Sequence, residues 1–350
     1  MFERFWGNPQ VTGPLDQMLA QNRLAQTLLF SGPEGVGKAT LARRLAARLL
    51  GHPELIERDD LSLPENLDRV ADREKLPADK RNADPLLFAS YPDFETYAPD
   101  GPLRQISIHQ TRFLKGSAQF LPHKGNRRIF LIDHVDRAND DAANSLLKTL
   151  EEPPPHLILI LTAENAYDLL PTIRSRAVPF HFAPLSGEDM RAFAAARGLD
   201  RAERRIALAA GSPGIAASLD LDAYDRRRSA MLSLLKVAAG RAPFAAWVPV
   251  SETIGRSRSE KLEIYLKVLY ELLRDLLLIQ QEMPEIRNSD IRVELESLAA
   301  AVPFAWIRRA VAGVDELIEF LRRNIQRTIA LDALILDLRS ACPSGARTAA

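Results

Sequence analysis

The sequence TLLFSGPEGVGKATLARRLAARLL, from Thr27 to Leu50, decides the fold class of this chain. It begins with an apolar run, passes through a loop containing three glycines, and continues with helical apolar periodicity. This order predicts a buried strand, a turn and an α-helix. The loop nearly matches the phosphate-binding pattern G-x-x-x-x-G-K-[ST], which fits from Gly32 to Lys38 and fails at Ala39.

In such a loop, backbone N–H groups and the positive end of the helix dipole bind phosphate, while glycines permit unusual backbone angles. Lys38 would reach the β- and γ-phosphates, but Ala39 stands where a hydroxyl normally binds Mg²⁺, and the hydroxyl of Thr40 comes one residue too late. The pattern predicts descent from nucleotide-binding proteins, and leaves open whether this loop still binds nucleotide. The candidate binding residues here are Gly32, Gly35, Val36, Gly37, Lys38, Ala39 and Thr40.

Two further apolar strands are predicted in RRIFLID, ending at Asp133, and HLILILTAEN, which contains Thr162. A helix, DAANSLLKTLEE, separates them. Apolar strands alternating with helices favour an α/β fold, in which helices cover both faces of a parallel sheet. From about Ser186 the strand patterns stop, and the remaining segments are helical. The predicted domains are a phosphate-loop domain (1–184), a small helical lid (185–238), an all-α domain (239–343) and a disordered tail (344–350).

Two regions are predicted from charge and periodicity. Ten acidic and six basic residues between Glu54 and Asp84 indicate an exposed insertion, at about 52–84, that is partly helical and mobile. A docking arm is the alternative, which is less favoured because charged stretches are usually solvated faces. Near the C-terminus, an apolar stripe predicts one long last helix, packed in the core on one side and able to present a second face to a partner. That stripe consists of Val314, Leu317, Leu321, Thr328, Leu331, Ile335 and Leu338.

Polar residues at the predicted strand ends are the remaining candidates for nucleotide chemistry. Asp133 is placed to hold Mg²⁺, and Thr162 to sense a γ-phosphate. A glutamate that orients water commonly follows such an aspartate, but here the next residue is His134, which we interpret as a polar residue without catalytic function. Arg174 and Arg176 allow two interpretations, a surface salt bridge or an arginine finger for a neighbouring nucleotide site, and the spacing alone favours the salt bridge.

Composition limits the classes of partner. Lys plus Arg and Asp plus Glu each number 46, so the neutral chain is not a general polyanion binder. The single cysteine, Cys342, allows neither an internal disulfide nor a Cys-rich zinc site, which suits a reducing compartment. The N-terminal MFERFWGNPQ lacks signal-peptide character, and the apolar run LLLI is too short to span a bilayer. We therefore expect a cytoplasmic protein without membrane attachment.

The motifs together resemble those of clamp-loader AAA+ proteins, and the resemblance covers nearly the whole chain. It is carried by FSGPEGVGK, YPDF (Tyr91 to Phe94), RRIFLIDHVDRANDDAANSLLKTLEEPP, IRSRA and AAGSPG. The run from Asn144 to Pro154 is very specific to this family. The resemblance implies an AAA+ sheet domain, a helical lid and a C-terminal collar through which the subunits assemble.

For the site, the resemblance aligns the family's Ser-Arg-Cys motif with Ser175, Arg176 and Ala177. Arg176 would then be a finger acting in trans on the neighbouring subunit's ATP. ATPases of this plan often place an arginine just after such a turn, but here the positions hold Pro213, Gly214 and Ile215, so no cation is available. Many relatives carry a Cys₄ zinc module after the first helix, but this chain has no cysteine there. We therefore expect no zinc, no other metal site and no required cofactor, with ATP or ADP and Mg²⁺ bound weakly if at all.

Together with these losses, the resemblance implies a non-motor, stator-like subunit of a DNA polymerase III clamp loader, with little or no ATPase activity and no polymerase activity. Its expected partners are the ATPase subunits and the delta subunit in a hetero-oligomer, and through that complex the sliding clamp and primer-template DNA. The alternative is an active, ATP-hydrolysing motor subunit, which Ala39 and His134 disfavour. A separate nucleotide-dependent DNA-binding module is a third hypothesis, and the neutral charge gives it no support.

Overall fold

A computed structural model of the protein describes residues 5–256, 260–321 and 326–341. The chain forms two compact units. The sheet unit comprises Met1–Ala202 with Gly211–Ala217, and the helical unit comprises Glu203–Ala210 with Ser218–Ala350. Because these units cross the predicted boundaries at 184 and 238, the three-domain division stays a prediction. Cys342 and the predicted tail at 344–350 lie outside the described residues.

The sheet unit contains a six-stranded sheet in the order β2-β3-β4-β5-β1-β6, in which only the edge pair β2–β3 is antiparallel. The strands are β1 (Thr27–Ser31), β2 (Phe88–Tyr91), β3 (Phe94–Tyr97), β4 (Arg128–Ile132), β5 (Leu157–Ala163) and β6 (Val178–His181). The helices are α1 (Pro9–Ala20), α2 (Lys38–Leu50), α3 (Pro53–Ile56), α4 (Pro64–Lys75), α5 (Ala78–Ala83), α6 (Ile108–Ser117), α7 (Asp140–Glu151), α8 (Pro171–Arg174) and α9 (Gly187–Arg197).

Alternate side chains of the central strands enter two separate cores. One core joins one face of the sheet to α6 and α7, through residues such as Phe130, Leu114 and Leu146. The other joins the opposite face to α1 and α2, through residues such as Phe30 and Leu41. Burial on both faces explains why β1, β4 and β5 are continuously apolar. The predicted α/β architecture and the three predicted strands, β1, β4 and β5, are therefore confirmed.

Three strands were not predicted, namely β2, β3 and β6. Each has only four residues and mixes polar with apolar side chains, as in FASY, FETY and VPFH. Segments this short carry too little periodicity to be distinguished from loops.

The charged segment at 52–84 forms α3, α4 and α5. Most of its side chains are exposed, as predicted, but Asp59 and Arg73 are buried. The Asp59 carboxylate accepts bonds from the N–H and hydroxyl of Ser90, and Arg73 pairs with Asp100 at 2.6 Å. Burial raises the pKa of Asp59, although the bonds from Ser90 oppose that shift. The segment is therefore anchored by its polar residues and is not solvated throughout.

The helical unit packs around buried Trp247 and Trp306. Among the described residues, its longer helices are α12 (Leu221–Ala238), α13 (Val248–Arg256), α14 (Leu262–Gln280), α15 (Arg292–Ala299), α16 (Phe304–Leu321) and α17 (Arg327–Ser340). Two short helices, α10 (Ala202–Ala209) and α11 (Pro213–Ser218), lie where the chain passes between the units. No single helix in the described ranges is long and apolar enough to cross a membrane. One pair of helices, Ser289–Ala299 and Phe304–Glu319, which is bent by 114°, has the length and composition of a membrane span.

The prediction of one long last helix was wrong. The apolar stripe is divided between α16 and α17, and Gln326 has an extended backbone (ψ 116°) immediately before α17 begins. Val314 on α16 and Leu331 on α17 are both buried in one core. Apolar residues recur at helical spacing in both segments because two helices that pack in the same core both need a buried face.

Candidate functional site

The predicted phosphate loop connects β1 to α2 and has positive φ at Gly32, Gly35 and Gly37. At Gly32 a Cβ atom would lie 2.3 Å from the carbonyl oxygen of Phe182, far inside van der Waals contact. Val36 is buried in the core, so only its backbone is available to a ligand. Gly32 is therefore required both by its backbone angle and by its close packing on Phe182, the residue that follows β6.

Lys38, the first residue of α2, is directed into this loop. Its buried ammonium group donates to the carbonyl oxygens of Gly32 at 2.6 Å and Pro33 at 2.7 Å. Burial lowers the pKa of Lys38, and the negative charge of Asp133 opposes that shift most strongly. An ammonium group has three donors. Two of these donors bond to carbonyl oxygens of the loop, and a bound phosphate would have to replace those acceptors.

The turn that contains GSPG packs directly on the same loop. The N–H of Gly214 donates to the carbonyl oxygen of Gly35 at 2.8 Å. A Cβ at Gly35 would lie 2.9 Å from Cγ1 of Ile215, one of the three uncharged residues at this turn. This contact joins residues about 180 positions apart, and sequence reasoning did not predict it.

Asp133 and Thr162 lie together at the carboxyl ends of β4 and β5, as neighbouring parallel strands require. The Thr162 hydroxyl donates to Oδ1 of the buried Asp133 at 2.5 Å and accepts the N–H of His134 at 2.8 Å. The hydroxyl thus closes a short network between the two strands. Ala39 and Thr40 are half-buried in the first turn of α2.

His134 has a left-handed backbone (φ 53°), and its Nδ1 is 3.8 Å from Oε1 of Glu164, beyond hydrogen-bond distance. Asp136, two residues later, accepts the N–H of Glu164 at 3.0 Å. That carboxylate therefore fastens the loop after β4 to the segment after β5. The position directly after Asp133 therefore holds an imidazole and no carboxylate.

Arg176 follows α8 and is about one-third exposed. Its Nη1 donates to the carbonyl oxygen of Thr172 at 2.8 Å and to Oγ of Ser175 at 3.1 Å, and its Nη2 donates to Oε1 of Glu151 at 2.6 Å. Arg174 instead lies over the exposed ring of Tyr167, 5.2 Å from its centre. The salt bridge that the spacing favoured is therefore present. The sequence pattern did not identify its partner, Glu151, which lies in the run LEEPP.

Metal ligation has no obvious candidate in this part of the chain or elsewhere in the described ranges. Among residues 5–256, 260–321 and 326–341, no three or more His, Cys, Asp or Glu side chains are grouped so that they could hold a metal ion.

A parallel sheet with a glycine loop after β1 and an aspartate–threonine pair at the ends of β4 and β5 defines the P-loop class of the AAA+ type. The family model described as DNA polymerase III, delta subunit, matches residues 7–186. The chain belongs to that family, and its resemblance to clamp-loader proteins is confirmed.

Individual relatives agree with the family match over part of their length. The chain is 30% identical over 200 residues to DNA polymerase III subunit gamma/tau of Mycobacterium bovis, covering 55% of this chain and 30% of that protein. It is also 30% identical over 230 residues to DNA polymerase III subunit delta′ of Pseudomonas aeruginosa, covering 63% of this chain and 65% of that protein. A solved gamma subunit-related protein from Thermotoga maritima has 18% identity and a TM-score of 0.44, covering 93% and 98% of the two chains.

Proposed function

We propose that this chain is a non-motor, delta′-type subunit of a DNA polymerase III clamp loader, which helps to load the sliding clamp onto primed DNA. It would assemble with ATPase subunits and a delta subunit and would supply Arg176 to a neighbour's ATP. The observation that carries the proposal is the family match over residues 7–186, and Ala39 and His134 favour its non-motor form. Lys38 bonds to two carbonyl oxygens of its own loop.

Nucleotide binding would require Lys38 to exchange these bonds for phosphate. Charge-assisted bonds to phosphate would compensate for the two that are released, so the exchange by itself adds little to the free energy of binding. What lowers the affinity is the missing Mg²⁺-binding hydroxyl at Ala39, together with the packing of Ile215 on Gly35. We infer weak binding of ATP or ADP at most, with no required cofactor and no zinc.

Isothermal titration of ATP and ADP into the purified chain, with and without Mg²⁺, is expected to give dissociation constants of about 1 mM or weaker. Steady-state ATP hydrolysis should be negligible. Ala39→Thr restores the hydroxyl but leaves His134 where a glutamate commonly orients water, so it should not restore turnover. Tight Mg²⁺-dependent binding, or a robust turnover that Lys38→Ala abolishes, would support the motor alternative instead.

Assembly is proposed to depend on the helical unit, where α17 presents apolar residues away from its core. Ile329 and Leu336 are each more than half exposed and lie seven residues apart, with exposed Ala333 between them. Residues at this spacing share one face of a helix. That face suits a neighbouring helix of the proposed collar.

The double substitution Ile329→Asp with Leu336→Asp is expected to weaken co-purification with the ATPase subunits at least tenfold. Burying one such side chain contributes about 1.5–3 kcal/mol, and a carboxylate would have to be desolvated in its place. Val293→Asp is the matched control, because Val293 is exposed on α15 of the same unit. Undiminished co-purification of the double variant would rule out this face as the collar contact.

A further inference from the structure

The guanidinium of Arg176 is held by hydrogen bonds to three residues close to it in the fold. Thr172 and Ser175 belong to its own segment, whereas Glu151 is the last residue of α7, 25 positions earlier. Both terminal nitrogens are engaged, Nη1 by the first two residues and Nη2 by the carboxylate. A guanidinium held in this way cannot bind an incoming phosphate with both nitrogens unless at least one of these bonds is released.

The position of Glu151 is not explained by helix stability. The C-terminal end of a helix carries partial negative charge, so a carboxylate there is unfavourable by a few tenths of a kcal/mol to about 1 kcal/mol. Glu151 nevertheless ends α7 and directs Oε1 to Arg176 at 2.6 Å. The ion pair accounts for a charge that the helix itself disfavours.

The pair is also weak enough to exchange. Both side chains are partly exposed, at 31% for Arg176 and 47% for Glu151, and exposed ion pairs contribute about 0–1 kcal/mol. A phosphate oxygen is an equally suitable acceptor for the planar guanidinium and belongs to a group with more negative charge. A phosphate bound at the remaining N–H groups would lie beside the carboxylate, and since like charges repel, the two anions would compete for the guanidinium.

We propose that Glu151 is a positioning residue that holds Arg176 on its own chain until the γ-phosphate of a neighbouring subunit's ATP replaces the carboxylate. This inference rests on the proposed function, in which Arg176 acts in trans. The held state keeps ATP turnover low before DNA is bound, and release of Glu151 is part of the change that primed DNA promotes.

The test uses the reconstituted clamp loader with ATP, with and without primed DNA. Glu151→Gln retains an oxygen acceptor but removes the competing charge. It is expected to raise turnover without DNA about two- to fivefold and to reduce the stimulation by DNA by the same factor. Glu152→Gln is the matched control, since Glu152 is the adjacent exposed glutamate. The double variant Glu151→Gln with Arg176→Ala should behave as Arg176→Ala alone, which a merely structural effect of Glu151 would not produce.

Other outcomes overturn the inference. If Glu151→Gln lowers turnover as Arg176→Ala does, the carboxylate supports the active finger and does not hold it back. If Glu151→Gln and Glu152→Gln both leave turnover and stimulation unchanged while Arg176→Ala lowers them, the pair is a surface salt bridge and only this inference fails. If Arg176→Ala also has no effect, the proposed function in trans fails with it.

Discussion

Replacing Arg176 with alanine is expected to lower ATP turnover by the reconstituted clamp loader while leaving the subunit folded and assembled. As an arginine finger, the guanidinium would stabilise charge that develops on the γ-phosphate in the transition state. Fingers of this kind contribute about 10³-fold or more to the rate at the site they serve. ATP turnover at the one neighbouring site should fall by that factor. Turnover of the whole complex should fall by the fraction that this site contributes to the total.

Stability should change little, because the ion pair of Arg176 with Glu151 is partly exposed and such pairs contribute about 0–1 kcal/mol. Arg176→Lys tests geometry, since lysine retains the charge but cannot reproduce the planar fork, and we expect it to be nearly as defective as alanine. Arg174→Ala is the matched control on the same segment, where the side chain lies over Tyr167. The measurement is ATP turnover at matched assembly, and equal turnover by wild type and Arg176→Ala would reduce Arg176 to a surface residue.

Arg128→Met is expected to destabilise the sheet unit by about 3–5 kcal/mol, the usual effect of removing one partner of a buried ion pair. Arg128 begins β4 and donates to the buried carboxylate of Glu95, and its Nη1 donates to the carbonyl oxygen of Ser117 at 2.6 Å. The fully buried Asp93 lies beside it, with 4.0 Å between Nε and Oδ1. Tyr97 also donates to Glu95, and burial together with that carboxylate raises the pKa of Tyr97.

Among the described residues of this cluster, Arg128 supplies the guanidinium. Without it, the buried carboxylates of Asp93 and Glu95 would lose their counter-charge. The expected loss corresponds to a fall in melting temperature of roughly 6–20 °C, at about 2–4 °C per kcal/mol for a unit of this size. Arg127→Met is the matched control, since Arg127 makes only an exposed 3.3 Å contact with Asn22. Thermal unfolding measures the loss, and hydrogen exchange should locate it in the sheet unit. A change below 1 kcal/mol would contradict the assignment of Arg128 as the required counter-charge.

The same cluster explains one motif that the family resemblance used without a physical reason. In YPDF, the Asp93 carboxylate accepts the N–H groups of His123 and Lys124, both at 2.7 Å. It thereby holds the loop that leads into β4. The aspartate serves the fold of the sheet edge, although the motif alone did not distinguish a structural residue from a functional one.

Local sequence patterns were sufficient for β1, α2, β4, α7 and β5, because strand and helix periodicities are properties of consecutive residues. The same holds for the glycine loop, because glycines mark positions where the backbone can adopt positive φ. The short strands β2, β3 and β6 were not predictable in this way. Their pairing depends on neighbours elsewhere in the sheet, and four residues show no reliable period.

By itself, the sequence determined the P-loop architecture, the family and the loss of the Mg²⁺-binding hydroxyl at Ala39, since each depends on residue type at a fixed spacing. Only the tertiary structure decided which partners the charged side chains have. Lys38 turns to carbonyl oxygens of its own loop, and Arg176 pairs with Glu151 across 25 residues. The physical reason is that long charged side chains have many accessible rotamers. Which rotamer each side chain adopts depends on the acceptors that folding brings within about 3 Å, and the sequence does not give that distance.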